Sequence, residues 1–175
     1  KLTLYTQISA YRKQYDAQLA CLIPASMFGP NDLFHEEHSH FLPALIHKLH
    51  QAKVTAAPSL TLWGSGEPRR EVILVDDVTR SVLQLLDHPE LYQGAINIGT
   101  GRDHSIKEIA QLVAQIIGYT GELTFDRTKP DGAYRKLLSS ERMRDLRSYE
   151  ITPLEQGISQ TYKWYLKALK QNDLR

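Results

Sequence analysis

The apolar positions of this chain fall into stripes at helical spacing, separated by short apolar runs. Leu4, Ile8, Tyr11 and Tyr15 share one face of a segment from about Leu2 to Tyr15, which predicts a helix. "QLACLIP" (18–24) is a compact apolar run ended by a proline, the pattern of a buried strand. "FGPND" is turn chemistry. "FLPALIHKLHQAK" then puts Leu42, Leu45, Ile46 and Leu49 on one helical face. "APSLTLWGSGEPRREVILVDDV" predicts two short strands around a Gly-Ser-Gly-Glu-Pro turn. Asp77 is placed to cap the helix that follows, with Val78, Val82, Leu85 and Leu86 as its apolar side. "GAINIGTG" reads as a strand and a tight turn. Ser105 and Glu108 have capping-box spacing ahead of Ile109, Leu112, Val113 and Ile116. "GELTFD" predicts an extended segment and "KPDGAYRK" a loop. Thr152, with Pro153 at the first helical position, opens a last helix through Ile158, Tyr162, Tyr165 and Leu169.

Helices alternating with short strands predict an α/β fold. Only 18–24 and 95–98 look like buried parallel strands, which is few for a self-sufficient doubly wound sheet. The 175 residues suffice for one domain or a large part of one. A formal net charge of +1 gives no bulk electrostatic case for nucleic acid or an acidic membrane as partner. No apolar run approaches the roughly 20 residues of a membrane span, and the expected location is the cytoplasm. The single cysteine, Cys21, cannot form an intramolecular disulfide and reads as a buried thiol in a strand.

The densest chemistry is "FHEEHSHFLP". His35, His38 and His40 lie within six positions of one another, with Glu36 and Glu37 between, and His47 and His50 follow. Zinc is disfavoured, because no HExxH pattern is present and no cysteine is near; no metal is expected. A polar loop with one working histidine is the better reading. "GTG" at 99–101 follows a strand and precedes a helix, but His104 stands where a dinucleotide fingerprint needs glycine. A tight turn is the simpler account. Asp76 and Asp77 read as a strand-end carboxylate and a cap rather than a paired-carboxylate site. Arg69 and Arg70 are either a charged turn or a guanidinium fork for a diphosphate, and Trp63 either packs in the core or stacks on a ring.

Taken in order, "GPND", "FHEEHSHFLPALIHK", "WGSGEPRRE", "VDDV", "INIGTG" and "KPDGAYRK" resemble the C-terminal half of the GDP-L-fucose synthase family. That family belongs to the extended short-chain dehydrogenase/reductase superfamily. The resemblance covers essentially all of 1–175. It implies the last strands and helices of a Rossmann-like NAD(P)-binding fold (1–35 and 75–118) together with a substrate-binding subdomain (36–74 and 119–175). It also implies an activity: NADPH-dependent epimerisation at C3 and C5 of GDP-4-keto-6-deoxy-D-mannose, then reduction of the C4 ketone. Carbons flanking a ketone are acidic because the enolate is delocalised, so a proton removed from one face can be returned to the other.

The resemblance implies roles residue by residue. Lys1 matches the lysine of the family's Tyr-x-x-x-Lys motif, as a catalytic and cofactor-binding position. His40 matches the histidine that donates the proton, since imidazole exchanges protons near neutral pH, and it belongs to the cofactor-contact set as well. Pro24, Ala25, Ser26 and Met27 match the strand end that meets the nicotinamide of NADP(H). Lys48, Trp63, Arg70 and Asp131 match substrate contacts. Lys48 and Arg70 would face the diphosphate, Trp63 the nucleotide or sugar, and Asp131 hydroxyl or base N–H groups. Two departures lie beside working loops: "PASMFGP" replaces a Thr-Asn pair by Ala25 and Ser26, and "KPDGAYRKLLS" lacks the family's Pro and Asp at 134 and 139.

The motif's tyrosine, the Gly-rich loop, the catalytic serine and the base cysteine would all precede Lys1. The chain is therefore expected to be the C-terminal portion of such an enzyme, in a homodimer or with an N-terminal half. Alternatives are a non-catalytic module that binds a nucleotide sugar or a partner chain, and an epimerase/dehydratase for another sugar. The expected outcome for the purified chain alone is no reductase activity, and NADPH oxidation in the presence of the 4-keto sugar would refute it.

Overall fold

The structure is a computed structural model that describes residues 2–36, 38–92, 94–144 and 149–174. In chain order these form α1 (Leu2–Tyr15), β1 (Cys21–Pro24), β2 (Ser26–Phe28), α2 (Phe41–Val54), β3 (Ser59–Trp63), β4 (Arg69–Arg70), β5 (Val72–Leu74) and α3 (Val75–Leu86). After a single 3-10 turn at Pro89–Leu91 come β6 (Ala95–Ile98), β7 (His104–Ser105), α4 (Ile106–Ile117), β8 (Glu122–Asp126), β9 (Arg135–Lys136), α5 (Glu141–Arg144) and α6 (Leu154–Gln171).

The strands pair over long distances in sequence. β1 runs parallel to β6, pairing Cys21 with Ala95 and Pro24 with Ile98. β2 runs parallel to β5, and β3 parallel to β8. β4 is antiparallel to β7 and parallel to β9. The strands flanking the Gly-Ser-Gly-Glu-Pro turn thus do not pair with each other. Gly64 (φ 84°) and Gly66 (φ 80°) take left-handed conformations that redirect the chain away from β3. β2 was not foreseen. It forms because the Ala25 N–H donates to the Ile98 carbonyl (2.8 Å), which carries the chain from one parallel pair into the next.

Two apolar clusters hold these elements. The larger joins Leu42, Leu45, Ile46 and Leu49 of α2 to Ile109, Val113 and Ile117 of α4 and to Ile158, Tyr162 and Tyr165 of α6. The smaller gathers Ile73, Leu85, Ile96, Ile98 and Met143. β5 belongs to both: Val72 and Leu74 enter the larger cluster and Ile73 the smaller, as strand alternation requires. α4 lies within the span grouped above with the Rossmann-derived elements, yet it packs on α2 and α6. α1 forms as predicted but buries no residue; Leu4, Tyr11 and Tyr15 are exposed, and the Arg12 guanidinium reaches the Tyr92 carbonyl.

Local signals act as physics expects, with two corrections. Ser105 and Glu108 form the full capping box, and Gly118 ends α4 in a left-handed conformation (φ 76°). Asp77 does not cap α3. The helix starts straight off β5 at Leu74, so Asp77 sits inside its first turn, buried. There its carboxylate accepts from the Thr152 N–H (2.9 Å) and Oγ1 (2.7 Å) and pairs with Arg80. Thr152 is thereby occupied, and Pro153 is the residue before α6 rather than its first.

α2 is joined to α6 by two half-buried polar contacts at the edge of the larger core. His47 Nδ1 lies 3.0 Å from the Tyr165 hydroxyl, and His50 Nδ1 lies 3.0 Å from that of Tyr162. Burial lowers the pKa of both histidines below the ordinary 6.5 and raises those of Tyr162 and Tyr165, the latter to about 12. As pH falls past 6.5, the unfolded chain takes up these protons first, so stability declines. As pH rises past 10, unfolded tyrosines ionise before Tyr162 and Tyr165, and stability is lost again toward 12. The urea midpoint should therefore be highest between these limits. A midpoint unchanged from pH 7 to pH 5 would contradict this.

Candidate functional site

α2, β3, β4, the start of α4 and the loop before β9 enclose an open cleft of about 310 Å³. Phe41, Leu45, Leu62, Pro68 and Ile106 supply its apolar wall. Lys48, Trp63, Arg70 and Asp131 supply its polar and aromatic groups. These are the four residues that the family resemblance implies for substrate contact, and they come from four separate segments.

Each is held differently. Asp131 accepts from the Ser65 N–H (2.9 Å) and from Ser65 Oγ (2.6 Å). Hydrogen bonds from the Ser65 hydroxyl and then its N–H hold the carboxyl below the usual aspartate range, with Arg127 and Arg70 adding to the effect. Arg70 donates through one nitrogen to the carbonyls of Arg69 (2.8 Å) and Ala133 (2.7 Å), which fixes the plane of the guanidinium. Gly132 gives it room, since a Cβ there would come within 3.1 Å of its second terminal nitrogen. Lys48 Nζ lies 3.9 Å from Glu36 of the histidine loop. Trp63 is 74% exposed, with Lys129 Nζ 5.6 Å from its ring centroid, so it is not a core residue.

Arg69 and Arg70 part company because neighbours on a strand face opposite ways. Arg69 turns from the cleft to Asp103 (2.8 Å) and Glu108 (3.6 Å), and Arg135 closes on the same aspartate. The pair is not a two-arginine fork; Arg70 alone lines the cleft.

In the histidine loop, Phe34 is buried against Tyr165 and Trp164, and Leu42 and Pro43 are buried at the other end. Between these anchors His35 and His38 stack at 4.6 Å in exposed loop. His40 is exposed immediately before α2, its side chain making no capping bond, and the next residue, Phe41, lines the cleft. Among the described residues no three His, Cys, Asp or Glu side chains converge to hold a metal ion. Glu37 and Lys1 lie outside the described residues.

Pro24, Ala25, Ser26 and Met27 form the step from β1 to β2, with Ser26 and Met27 exposed. Because β1 and β6 are parallel, Pro24 and Ile98 lie together at their carboxyl ends, where open α/β sheets bind ligands. The "GTG" turn beyond β6 is no phosphate cradle: the Gly99 N–H donates to the Tyr149 hydroxyl (3.1 Å) and the Gly101 N–H to Glu71 (2.7 Å).

Sequence reasoning missed Ser65 and Glu71. The Gly-Ser-Gly spacing was a signal for the first, because serine in a turn offers a hydroxyl for local and neighbouring hydrogen bonds, here with the Glu67 N–H and with Asp131. Nothing local marks Glu71, whose partners lie far along the chain. Gly64 also bears on the site, since a Cβ there would collide with Asp131 Oδ1. Gly64→Ala should cost roughly 1–3 kcal/mol through backbone strain alone and push Asp131 off Ser65. A denaturation midpoint equal to wild type would exclude this.

A family model described as "NAD dependent epimerase/dehydratase family" matches residues 1–99. GDP-L-fucose synthase 1 of Arabidopsis thaliana is 44% identical over 160 residues, covering 90% of this chain and 49% of that protein. A solved GDP-L-fucose synthetase from Naegleria fowleri bound to NADP superposes with a TM-score of 0.86 at 27% identity, over 97% of this chain and 55% of that one. A GDP-6-OMe-4-keto-L-xylo-heptose reductase from C. jejuni gives 0.87 at 27% identity, over 95% and 59%. The chain spans about half the length of the curated relatives it matches. No helix among the described residues is long and apolar enough to cross a membrane.

Proposed function

The chain belongs to the NAD dependent epimerase/dehydratase family, and within it we propose that this is the nucleotide-sugar-binding portion of an epimerase/reductase of the GDP-L-fucose synthase type. The observation that carries this reading is the convergence of Lys48, Trp63, Arg70 and Asp131 on one cleft. A nucleoside diphosphate sugar needs cations for the diphosphate, a flat apolar surface for a ring and an acceptor for hydroxyl or amide N–H groups. The cleft offers each. Arg70 is pre-oriented by two carbonyls, so little rotamer freedom remains to be lost on binding. Asp131 keeps unused lone pairs beyond those engaged by Ser65, and its negative charge disfavours a phosphate at that end. The ligand thus has a polarity, with phosphates drawn toward Lys48 and held off Asp131, and with Arg70 between the two because its charge also acts on Asp131.

His40, exposed beside the cleft-lining Phe41, is suited to carry a proton to or from a carbon flanking the ketone. NADP(H), the cofactor named for the Naegleria relative, would supply the hydride for reduction. The exposed Ser26 and Met27, just past the carboxyl end of β1, fit one rim of its site. The similarity to a GDP-heptose reductase supports a second reading, in which the same cleft takes a different GDP-linked 4-keto sugar.

Titration of the chain with GDP should change Trp63 emission, and UDP should bind more weakly. Arg70→Ala and Lys48→Ala should each weaken GDP binding by tenfold or more, about the value of one charged hydrogen bond. Equal affinity for UDP, or GDP binding indifferent to Arg70→Ala, would rule out the reading.

A further inference from the structure

Glu71 is a charged side chain with only 3% of its surface exposed, between cleft-lining Arg70 and buried β5. Buried carboxylates survive only when hydrogen-bonded. One oxygen accepts from the Gly101 N–H (2.7 Å) and from Thr100 Oγ1 (3.3 Å). The other accepts from the Leu138 N–H (2.8 Å). The carboxylate therefore spans two segments: the turn that leaves β6 and the strand end that follows the Asp131 loop. The fit is close, because a Cβ on Gly99 would come within 2.5 Å of the first oxygen.

β4 and β9 have two residues each, and the backbone bonds outside the strands themselves are Arg69 N–H to Tyr134 O (2.7 Å) and Glu71 N–H to Lys136 O (3.1 Å). So short a pairing is weak on its own. The Glu71 side chain continues it by one more bond, to Leu138, and ties it to the carboxyl end of β6. Arg70 depends on this register, since its guanidinium is set by the Ala133 carbonyl just before β9.

We propose that Glu71 is the positioning residue that fixes the Arg70–Asp131 side of the cleft against the carboxyl edge of the β1–β6 pair. The idea rests on the cleft being a nucleoside diphosphate site. Glu71 touches no ligand; it acts through Arg70 and the 131–138 segment. Its replacement by glutamine keeps shape and reach, but turns an NH2 toward one of the N–H donors.

The test compares GDP affinity in the full chain for wild type, Glu71→Gln and Asp77→Asn, well below the unfolding midpoint. Asp77 is an equally buried carboxylate with similar bonds, to Thr152 and Arg80, away from the cleft-lining residues. Both variants should lower the midpoint. Only Glu71→Gln should weaken GDP binding, by about tenfold. Unchanged affinity in Glu71→Gln, or an equal loss in Asp77→Asn, overturns the proposal while leaving the cleft reading intact. Failure of wild type to bind GDP overturns both. Amide exchange of the unmodified chain gives a second readout: GDP should slow the Gly101 and Leu138 amides together. Slowing confined to the cleft wall, without Gly101, also overturns it.

Discussion

The constraint on which most of this structure depends is the burial of β5 on both faces. Three residues, Val72, Ile73 and Leu74, divide their side chains between two apolar clusters that share no other strand so fully. At about 25 cal/mol per Å² of apolar surface, each contributes roughly 1.5–3 kcal/mol relative to exposure. The geometric consequence matters more. With β5 immobilised, Arg70 and Glu71 leave it in a set direction, and α3 starts without a spacer at its other end. The cleft is thus an extension of the core rather than a feature of loops.

The cleft is furnished by segments whose own secondary structure is slight. β4 and β9 are two residues long, and the Asp131 loop has no regular structure. Side chains do the joining: Ser65 to Asp131, Arg70 to the Ala133 carbonyl, and Asp103 between Arg69 and Arg135. Such a surface is tied down where Asp131 and Arg70 are hydrogen-bonded and open at the exposed Trp63.

The helices were legible in the sequence because their stripes reflect one large core. Leu42, Leu45, Ile46 and Leu49 are buried as the spacing predicts, and the Ser105–Glu108 box is a local device that needs nothing distant. α1 shows the limit of such patterns, for its stripe is real but none of its residues is buried. The site was legible only through motifs in order. Composition left Trp63 undecided between core and surface, and left Arg69 and Arg70 indistinguishable. Strand alternation and Asp103 separate them, and neither can be known without the fold. Asp77 was misread because its helix begins abruptly off a strand and its partner, Thr152, lies in another part of the chain.

The pairing pattern has a kinetic consequence. Among the described residues, every ladder longer than two residues is parallel and joins distant segments: Ser26 to Val72, Ser59 to Glu122, Cys21 to Ala95. None can start as a hairpin, so each must close a long loop before its first bond forms. Folding is then expected to begin with the contacts of α2, α4 and α6 and to reach the strands late, on the slow side for a chain of this size. The cleft, framed by the shortest strands of all, would be among the last parts of the molecule to acquire its shape.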